Sequence, residues 1–156
     1  MLLEIDGWKH GITFSSSHFI IGHTKCGRLH GHNYGIRLRM EGEMDREYML
    51  MDFVVVKRAL RGIAEELDHR VLLPGRSPYA EIDEDGESVE FRGAGKRYVF
   101  PRKDVLILPI EATSAEELAK YVYSRFADSV EIPPSIRKVW IAVDEEMGQG
   151  IWYSPE

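Results

Sequence analysis

The chain has 156 residues, 44% of them hydrophobic, and carries a formal net charge of −6. This length and composition predict one globular domain, residues 1–156, with a full apolar core. The negative net charge does not fit the excess of basic residues that is typical of nucleic-acid-binding proteins. No apolar stretch approaches the roughly 20 residues that a membrane span needs. The single cysteine, Cys26, excludes an internal disulfide and favours a reducing, cytoplasmic setting.

The first part of the chain is predicted to form two strands joined by a loop. Ile12 and Phe14 alternate within Trp8–Phe19, which predicts the first strand, and a loop follows over residues 20–29. The second strand, over residues 34–41, alternates between an apolar and a polar face, as in an antiparallel sheet with one buried side. The apolar face comprises Tyr34, Ile36, Leu38 and Met40, and the polar face comprises Arg37, Arg39 and Glu41.

Two amphipathic helices are predicted downstream. Asp52 is a suitable N-cap for a helix that runs to about Leu67. Ser114 and Glu117 have the spacing of a capping box at the start of a second helix. Two last strands are predicted at Ile136–Glu145 and Gly150–Tyr153.

Residues 75–109, between the helices, are rich in Gly, Asp, Glu and Pro. Short strand-like pieces occur there at Ser88–Arg92, Arg97–Phe100 and Val105–Leu108. This segment is interpreted as an inserted hairpin or extra edge strands, and not as a second domain. Helices grouped against one antiparallel sheet predict an α+β fold.

Three histidines are candidate metal ligands. His30 and His32 are two residues apart and point to the same side of an extended chain, and His18 shares the parity of Ile12 and Phe14. Three neutral imidazoles with a fourth position open are typical of a catalytic zinc site. The alternative is a set of hydrogen-bonded histidines at a sheet edge. Two further histidines compete as ligands, namely His10 and His23.

Cys26 has three interpretations. It can be a small buried hydrophobic residue, which is the commonest environment of a free cysteine. It can be a reactive thiolate whose pKa is lowered by the neighbouring charges of Lys25 and Arg28. It can also be a fourth metal ligand, four residues before His30, which would close the site and make it structural.

Two carboxylate positions are candidates for proton transfer or ligand binding. Asp68 precedes His69, and a carboxylate beside an imidazole can tune it for acid–base work, although adjacent side chains often point apart. Glu145 shares the parity of the apolar face of its strand, where an unpaired carboxylate is costly. A ligand with two parallel N–H donors would satisfy it. Otherwise the strand has ended and Glu145 lies in a solvated turn.

Taken in chain order, these stretches resemble the family of 6-pyruvoyltetrahydropterin and 6-carboxytetrahydropterin synthases. The run Cys26-Gly-Arg-Leu-His30-Gly-His32-Asn-Tyr34 is its most specific part. The other matching pieces are His18-Phe19, Met51-Asp52-Phe53, Leu67-Asp68-His69, Ser114-Ala-Glu116-Glu-Leu118-Ala119 and Val143-Asp-Glu145.

This resemblance implies the T-fold, a four-stranded antiparallel sheet with two helices on one face. It also implies that three subunits form a barrel and that two trimers stack as a hexamer with active sites between subunits. Cys26 and the Asp68–His69 pair would then meet although they belong to different chains.

The resemblance further implies roles for individual residues. His18, His30 and His32 would hold Zn²⁺. Cys26 would be the general base, and Asp68 with His69 would form a second proton-transfer unit. Glu145 would accept the 2-amino and N3 hydrogens of a pterin, and Ser114 would contact the same substrate.

The implied substrate is 7,8-dihydroneopterin triphosphate. The three-residue gap between Cys26 and His30 resembles the branch that makes 6-carboxytetrahydropterin, a 7-deazaguanine precursor, with loss of triphosphate and acetaldehyde. The pyruvoyl branch, a non-enzymatic structural zinc oligomer and a zinc-dependent hydrolase stay open as alternatives. Ala115 replaces a hydroxyl residue usual in the family, and the triphosphate contacts are open, with Lys9, Lys25 and Arg28 as candidates.

Overall fold

The computed structural model describes all residues from Met1 to Glu156. In chain order the elements are β1 (Leu2–Ile5), α1 (Gly7–His10), β2 (Thr13–His18), β3 (His30–Gly42), α2 (Phe53–Leu67), β4 (Arg70–Pro74), β5 (Ala80–Glu84), β6 (Ser88–Gly93), β7 (Lys96–Pro101), β8 (Val105–Leu108), α3 (Ala115–Ser129), β9 (Ile136–Glu145) and β10 (Gly150–Tyr153). No helix is long and apolar enough to cross a membrane.

The main sheet has seven strands in the order β10-β9-β3-β2-β4-β8, and β1 pairs with β3. The four antiparallel strands that the T-fold requires are β10, β9, β3 and β2. The prediction of four strands was incomplete, because β4 and β8 extend the sheet in parallel and β1 also joins it. An apolar run as short as that of β4 has no periodicity that distinguishes a strand from the end of a helix.

The predicted strand over Trp8–Phe19 was wrong in its first part. Asp6 caps a single helical turn by accepting a hydrogen bond from the Trp8 amide at 3.1 Å. Gly11 ends the turn with a φ of 63°, in the left-handed region that glycine adopts at little cost. The strand therefore begins only at Thr13, so the alternation at Ile12 and Phe14 marks its entry.

Both long helices begin where the capping residues predict. The Asp52 carboxylate accepts a hydrogen bond from the Val54 amide at 2.7 Å, and the Ser114 hydroxyl accepts one from the Glu117 amide at 3.5 Å. α2 and α3 pack together on one face of the main sheet, and 25 buried residues form the core between the layers. This arrangement leaves the first turn of α3 beside the end of β9.

The inserted segment is more than the predicted hairpin. β5, β6 and β7 form a separate three-stranded antiparallel sheet, whereas β8 leaves it and pairs with β4 in the main sheet. A second, smaller core of five buried residues joins this sheet to the main body. Its members are Phe19, Leu73, Val89, Phe91 and Val105.

Candidate functional site

The three candidate histidines converge at one end of the β2–β3 ladder. Antiparallel pairing sets His18 opposite His30, and His32 lies two residues further along the same face. The ring centroids are 4.6 Å (His18–His30), 5.0 Å (His30–His32) and 5.2 Å (His18–His32) apart. One ligand atom from each ring lies within 4.8 Å of the others, so the three rings are close enough to share a single metal ion. His10 is exposed on α1 and does not belong to this cluster.

Backbone carbonyls orient two of these rings. The Nδ1 of His18 lies 2.7 Å from the carbonyl oxygen of Thr113, and the Nδ1 of His30 lies 2.6 Å from that of Arg28. A carbonyl can only accept, so each Nδ1 carries the proton and each Nε2 keeps a free lone pair. The Nε2 of His18 and the Nδ1 of His32 are buried without a hydrogen-bond partner.

Burial also sets the charge of His18. Desolvation is the main cause that lowers its pKa; the hydrogen bond to Thr113 opposes it, the nearby imidazoles of His30 and His32 add to it, and the resulting pKa is about 4. The ring is therefore neutral at neutral pH, which is the form that binds a metal ion. Three converging imidazoles, two of them with a buried nitrogen that lacks a partner, fit the nitrogen donor set of a zinc site.

Glu145 lies directly beside this cluster. Its Oε1 is 3.8 Å from the Nε2 of His18, and its backbone pairs with Tyr34 in the β3–β9 ladder. The predicted parity is confirmed, because the neighbouring Asp144 points to the opposite face and accepts hydrogen bonds from Trp8 and Arg37 there. Glu145 has no such protein partner, and its carboxylate is available to a ligand.

A cavity of about 510 Å³ adjoins the cluster and contains three of the predicted residues. Cys26 reaches it from the loop between β2 and β3, Ser114 from the N-cap of α3, and Glu145 from the end of β9. Ala115 also lines this cavity and gives it an apolar side chain next to Ser114. The remaining lining residues are Ile20, His23, Glu116, Gln149, Gly150 and Ile151, and none of the three basic residues proposed for the triphosphate is among them.

Local hydrogen bonds close the loop that carries Cys26. The Ile20 amide donates to the Cys26 carbonyl at 2.7 Å, and the Cys26 amide donates to the Nδ1 of His23 at 3.0 Å. The Cys26 side chain is half-buried and has no disulfide partner. Its thiol is thus held at the wall of the cavity.

His69 lines a different, polar cavity of about 580 Å³, which His32 also lines and which shares no lining residue with the Cys26 cavity. The His69 ring is 84% exposed, and its Nδ1 lies 2.7 Å from the Asp68 Oδ2. Partial burial by itself raises the pKa of Asp68, but hydrogen bonds from the Ser15 amide and from His69 outweigh it and hold the pKa below its ordinary value. Within one chain, His69 and Cys26 therefore line separate cavities.

Two residues near the cluster escaped the sequence-based prediction. Thr113 fixes His18 through its carbonyl, and its hydroxyl donates to the carbonyl of Phe19 at 3.1 Å. Tyr34 counted only as core, yet its buried hydroxyl has no partner, and burial together with the charge of Glu145 raises its pKa. The sequence did contain a signal for Tyr34, because it lies on the same face of its strand as His30 and His32. Nothing in the local sequence marked Thr113 as a contact of the cluster.

This chain is similar to known tetrahydropterin synthases in both sequence and fold. The family model described as 6-pyruvoyl tetrahydropterin synthase matches residues 8–156. A Methanocaldococcus jannaschii protein, provisionally named 6-carboxy-5,6,7,8-tetrahydropterin synthase, is 33% identical over 98% of this chain and 96% of its own length. An Aquifex aeolicus protein of the same name is 32% identical over 74% of this chain and 67% of its own length.

Solved structures agree with this assignment. The 6-pyruvoyl tetrahydropterin synthase of Plasmodium vivax superposes with a TM-score of 0.91 and 25% identity, covering 100% of this chain and 98% of that one. Its match over the full length includes the inserted segment as well as the main sheet. The chain therefore belongs to the 6-pyruvoyl tetrahydropterin synthase family of pterin-processing enzymes and has the T-fold of that family.

Proposed function

We propose that this protein is a zinc-dependent lyase that converts 7,8-dihydroneopterin triphosphate to 6-carboxy-5,6,7,8-tetrahydropterin, releasing triphosphate and acetaldehyde. The observation that carries the proposal is the convergence of His18, His30 and His32, with ligand atoms within 4.8 Å of one another, beside a cavity that contains a thiol and a carboxylate. Zinc bound there would supply Lewis-acid chemistry, polarising side-chain oxygens of the substrate and acidifying the adjacent C–H bonds.

The protein groups around the cavity orient the pterin and move protons. Glu145 accepts hydrogen bonds from the 2-amino and N3 hydrogens of the pterin, which gives its partly buried carboxylate a hydrogen-bonded partner. Ser114 contacts the same ring from the first turn of α3. The Cys26 thiolate removes a proton from the substrate side chain, and the Asp68–His69 pair carries out the second proton transfer.

An assembly of subunits completes this site in the proposal. Within one chain, His69 and Cys26 line different cavities, so their cooperation requires a neighbouring copy. We propose the hexamer of stacked trimers, formed by chains that are each one domain with an inserted segment at residues 75–109. A reducing, cytoplasmic location accords with the single free cysteine, which the mechanism needs as a thiol.

Two features favour the carboxytetrahydropterin branch over the pyruvoyl branch. Only three residues separate Cys26 from His30, and the similar proteins of M. jannaschii and A. aeolicus carry the carboxytetrahydropterin name. The product is a precursor of 7-deazaguanine nucleosides, so a role in queuosine or archaeosine synthesis belongs to the same proposal. The pyruvoyl branch is the second candidate, because the family description and the Plasmodium structure carry that name.

Product identification tests the proposal. The zinc-loaded protein is incubated with 7,8-dihydroneopterin triphosphate, and the pterin and aldehyde products are resolved by mass spectrometry, with a chelator-treated sample as control. We expect 6-carboxytetrahydropterin and acetaldehyde in equal amounts, only in the zinc-loaded sample. A pyruvoyl product without acetaldehyde selects the second candidate, and no zinc-dependent turnover of any dihydropterin rejects both.

The Cys26→Ala variant separates a catalytic from a structural metal site. We expect it to keep zinc and the fold while turnover falls by roughly 10²–10⁴-fold, the usual contribution of a general base. Loss of zinc together with the fold would instead identify Cys26 as a structural ligand. Hydrolysis of simple esters that is unaffected by the substitution would favour a zinc hydrolase.

A further inference from the structure

The inserted sheet of β5, β6 and β7 contacts the loop that carries Cys26. This loop, residues 20–29, leaves β2 directly after the metal-binding position His18 and enters β3 at His30. Residues of the loop and of the insertion together enclose a small cavity of about 160 Å³. The insertion therefore lies against the segment that sets the position of the thiol.

The turn of the β6–β7 hairpin restrains the backbone at Lys96. Ala94 and Gly95 form its two-residue turn with φ values of 48° and 72°, as a type I′ turn requires. Gly93 and Lys96 are the last cross-strand pair before this turn. Lys96 is thus fixed at the end of a tight hairpin, where its backbone cannot shift without disrupting the pairing.

The ammonium group of Lys96 donates a hydrogen bond to the carbonyl oxygen of Gly27, the residue after Cys26. Gly27 is itself closely packed, because its amide donates to the His23 carbonyl at 3.1 Å and a Cβ would lie 2.2 Å from that oxygen. A charge-assisted hydrogen bond at this point restrains the peptide next to the thiol-bearing residue.

The other end of the loop is held by apolar packing. The buried ring of Phe19 lies 4.7 Å from that of Phe91 and 5.1 Å from that of Tyr98, both on the insertion. The carbonyl of Phe19 also accepts the hydrogen bond from Thr113, whose own carbonyl orients His18. The insertion is therefore connected to both the cysteine and the metal-binding histidine.

We propose that the inserted sheet supports the Cys26 loop and that Lys96 is a positioning residue, which sets the thiol relative to the three histidines through Gly27. This inference rests on the proposed function in one respect, since it gives the position of the thiol a catalytic consequence. The physical contact between the insertion and the loop does not depend on that function.

The test compares Lys96→Met, which keeps an unbranched side chain but removes the ammonium group, with Lys96→Arg, which restores a cationic donor. Arg97→Met is the matched control, because Arg97 follows on the same strand and pairs with Glu90 away from the loop. For each full-length variant, the rate of Cys26 alkylation by iodoacetamide, kcat, KM and thermal unfolding are measured. Cys26 is the only cysteine, so total alkylation reports on this thiol alone.

We expect Lys96→Met to accelerate alkylation and to lower kcat roughly tenfold with KM changed less than about twofold, since a displaced catalytic group slows the reaction without weakening binding. Lys96→Arg should recover most of kcat, and Arg97→Met should match the unmodified protein. If alkylation accelerates but kcat is unchanged, Lys96 does restrain the loop, and the catalytic role proposed for Cys26 is rejected.

Three other results would overturn the inference. Unchanged alkylation and kcat would mean that Lys96 does not hold the loop. Unchanged alkylation with a raised KM would make Lys96 a contact for the substrate phosphates. The third result is that Lys96→Met lowers the unfolding temperature and kcat without accelerating alkylation, and that Lys96→Arg restores both. Lys96 would then contribute only to general stability.

Discussion

At the scale of single residues, burial and hydrogen bonding decide which histidines can act as ligands. Of the six histidines in the chain, only His18, His30 and His32 bring ligand atoms together. His18 is buried and neutral, with its Nδ1 committed to Thr113, so its Nε2 is the nitrogen left for a metal ion. The other three histidines, His10, His23 and His69, are exposed and do not belong to this group.

Replacing a histidine of the cluster is therefore expected to remove metal binding. Removing a residue that only hydrogen-bonds to a metal ligand typically weakens metal affinity by roughly 10–100-fold. His30→Ala removes a proposed ligand itself, so we predict a larger loss of zinc affinity. His30 is only half-buried, so the fold should persist. Zinc content after dialysis measures the effect, and His10→Ala is the matched control. Equal zinc content in both variants would reject the three-histidine site.

At the scale of elements, Asp68 connects the end of α2 to β2. It is the C-cap residue of α2, and its carboxylate accepts a hydrogen bond from the Ser15 amide at 2.7 Å. His69 follows with a φ of 54°, and its amide donates to the Ser15 carbonyl at 2.7 Å. These contacts turn the chain from the helix into β4 and present the exposed His69 ring.

The acid stability of this connection should depend on Asp68. Its folded-state pKa lies below the ordinary 3.8, so the ionised carboxylate stabilises the fold above that pH. The contribution is lost as the pH falls through the lowered folded-state pKa. We predict that the unmodified protein is more stable than Asp68→Asn at neutral pH and that the difference shrinks from about pH 4 downward. Urea unfolding at several pH values measures it, and a pH-independent difference would contradict it.

The β6–β7 turn gives a second prediction at this scale. Ala94 adopts a left-handed conformation that costs an ordinary L-residue free energy, whereas asparagine tolerates it and Asn-Gly is a preferred type I′ pair. We predict that Ala94→Asn raises the free energy of unfolding by about 0.5 kcal/mol. Gly95→Ala in the same turn should lower it by about 1 kcal/mol. Chemical denaturation measures both, and a shift of the same sign in the two variants would contradict the turn assignment.

At the scale of the whole molecule, a single chain leaves two features unsatisfied. The main sheet ends in β10 on one side and β8 on the other, and edge strands carry unpaired backbone groups. Large apolar side chains are also exposed around the start of α2, which is typical of a protein–protein contact. They are Met44, Tyr48, Met49, Phe53, Val54 and Val55. Both features favour the proposed assembly of subunits.

Subunit mixing tests whether the active site spans two chains. Cys26→Ala and His69→Ala are each expected to be inactive alone. Co-expressed and randomly assembled, they should recover roughly a quarter of the unmodified activity, because one combination in four unites an intact Cys26 with an intact His69. Native mass spectrometry should find six chains of 17.9 kDa in one particle. A mixed particle with no recovered activity would contradict a site shared between chains.

Local chemistry in the sequence determined much of this structure. The caps Asp52 and Ser114 begin the helices where predicted, because a side-chain acceptor at a helix N-terminus needs only residues two or three positions away. The parity of His18, His30 and His32 was also readable, because alternation along a strand is a local property. The family resemblance then supplied the residue roles, which remain proposals.

Only the tertiary structure decided how distant segments meet. β4 and β8 join the main sheet, Lys96 contacts Gly27, and His69 lines a different cavity from Cys26. These features depend on contacts between residues tens of positions apart, and strand alternation or capping residues do not specify which distant partner is chosen. The sequence alone therefore predicted the grouping of the three histidines, and the packed chain determined what surrounds and supports them.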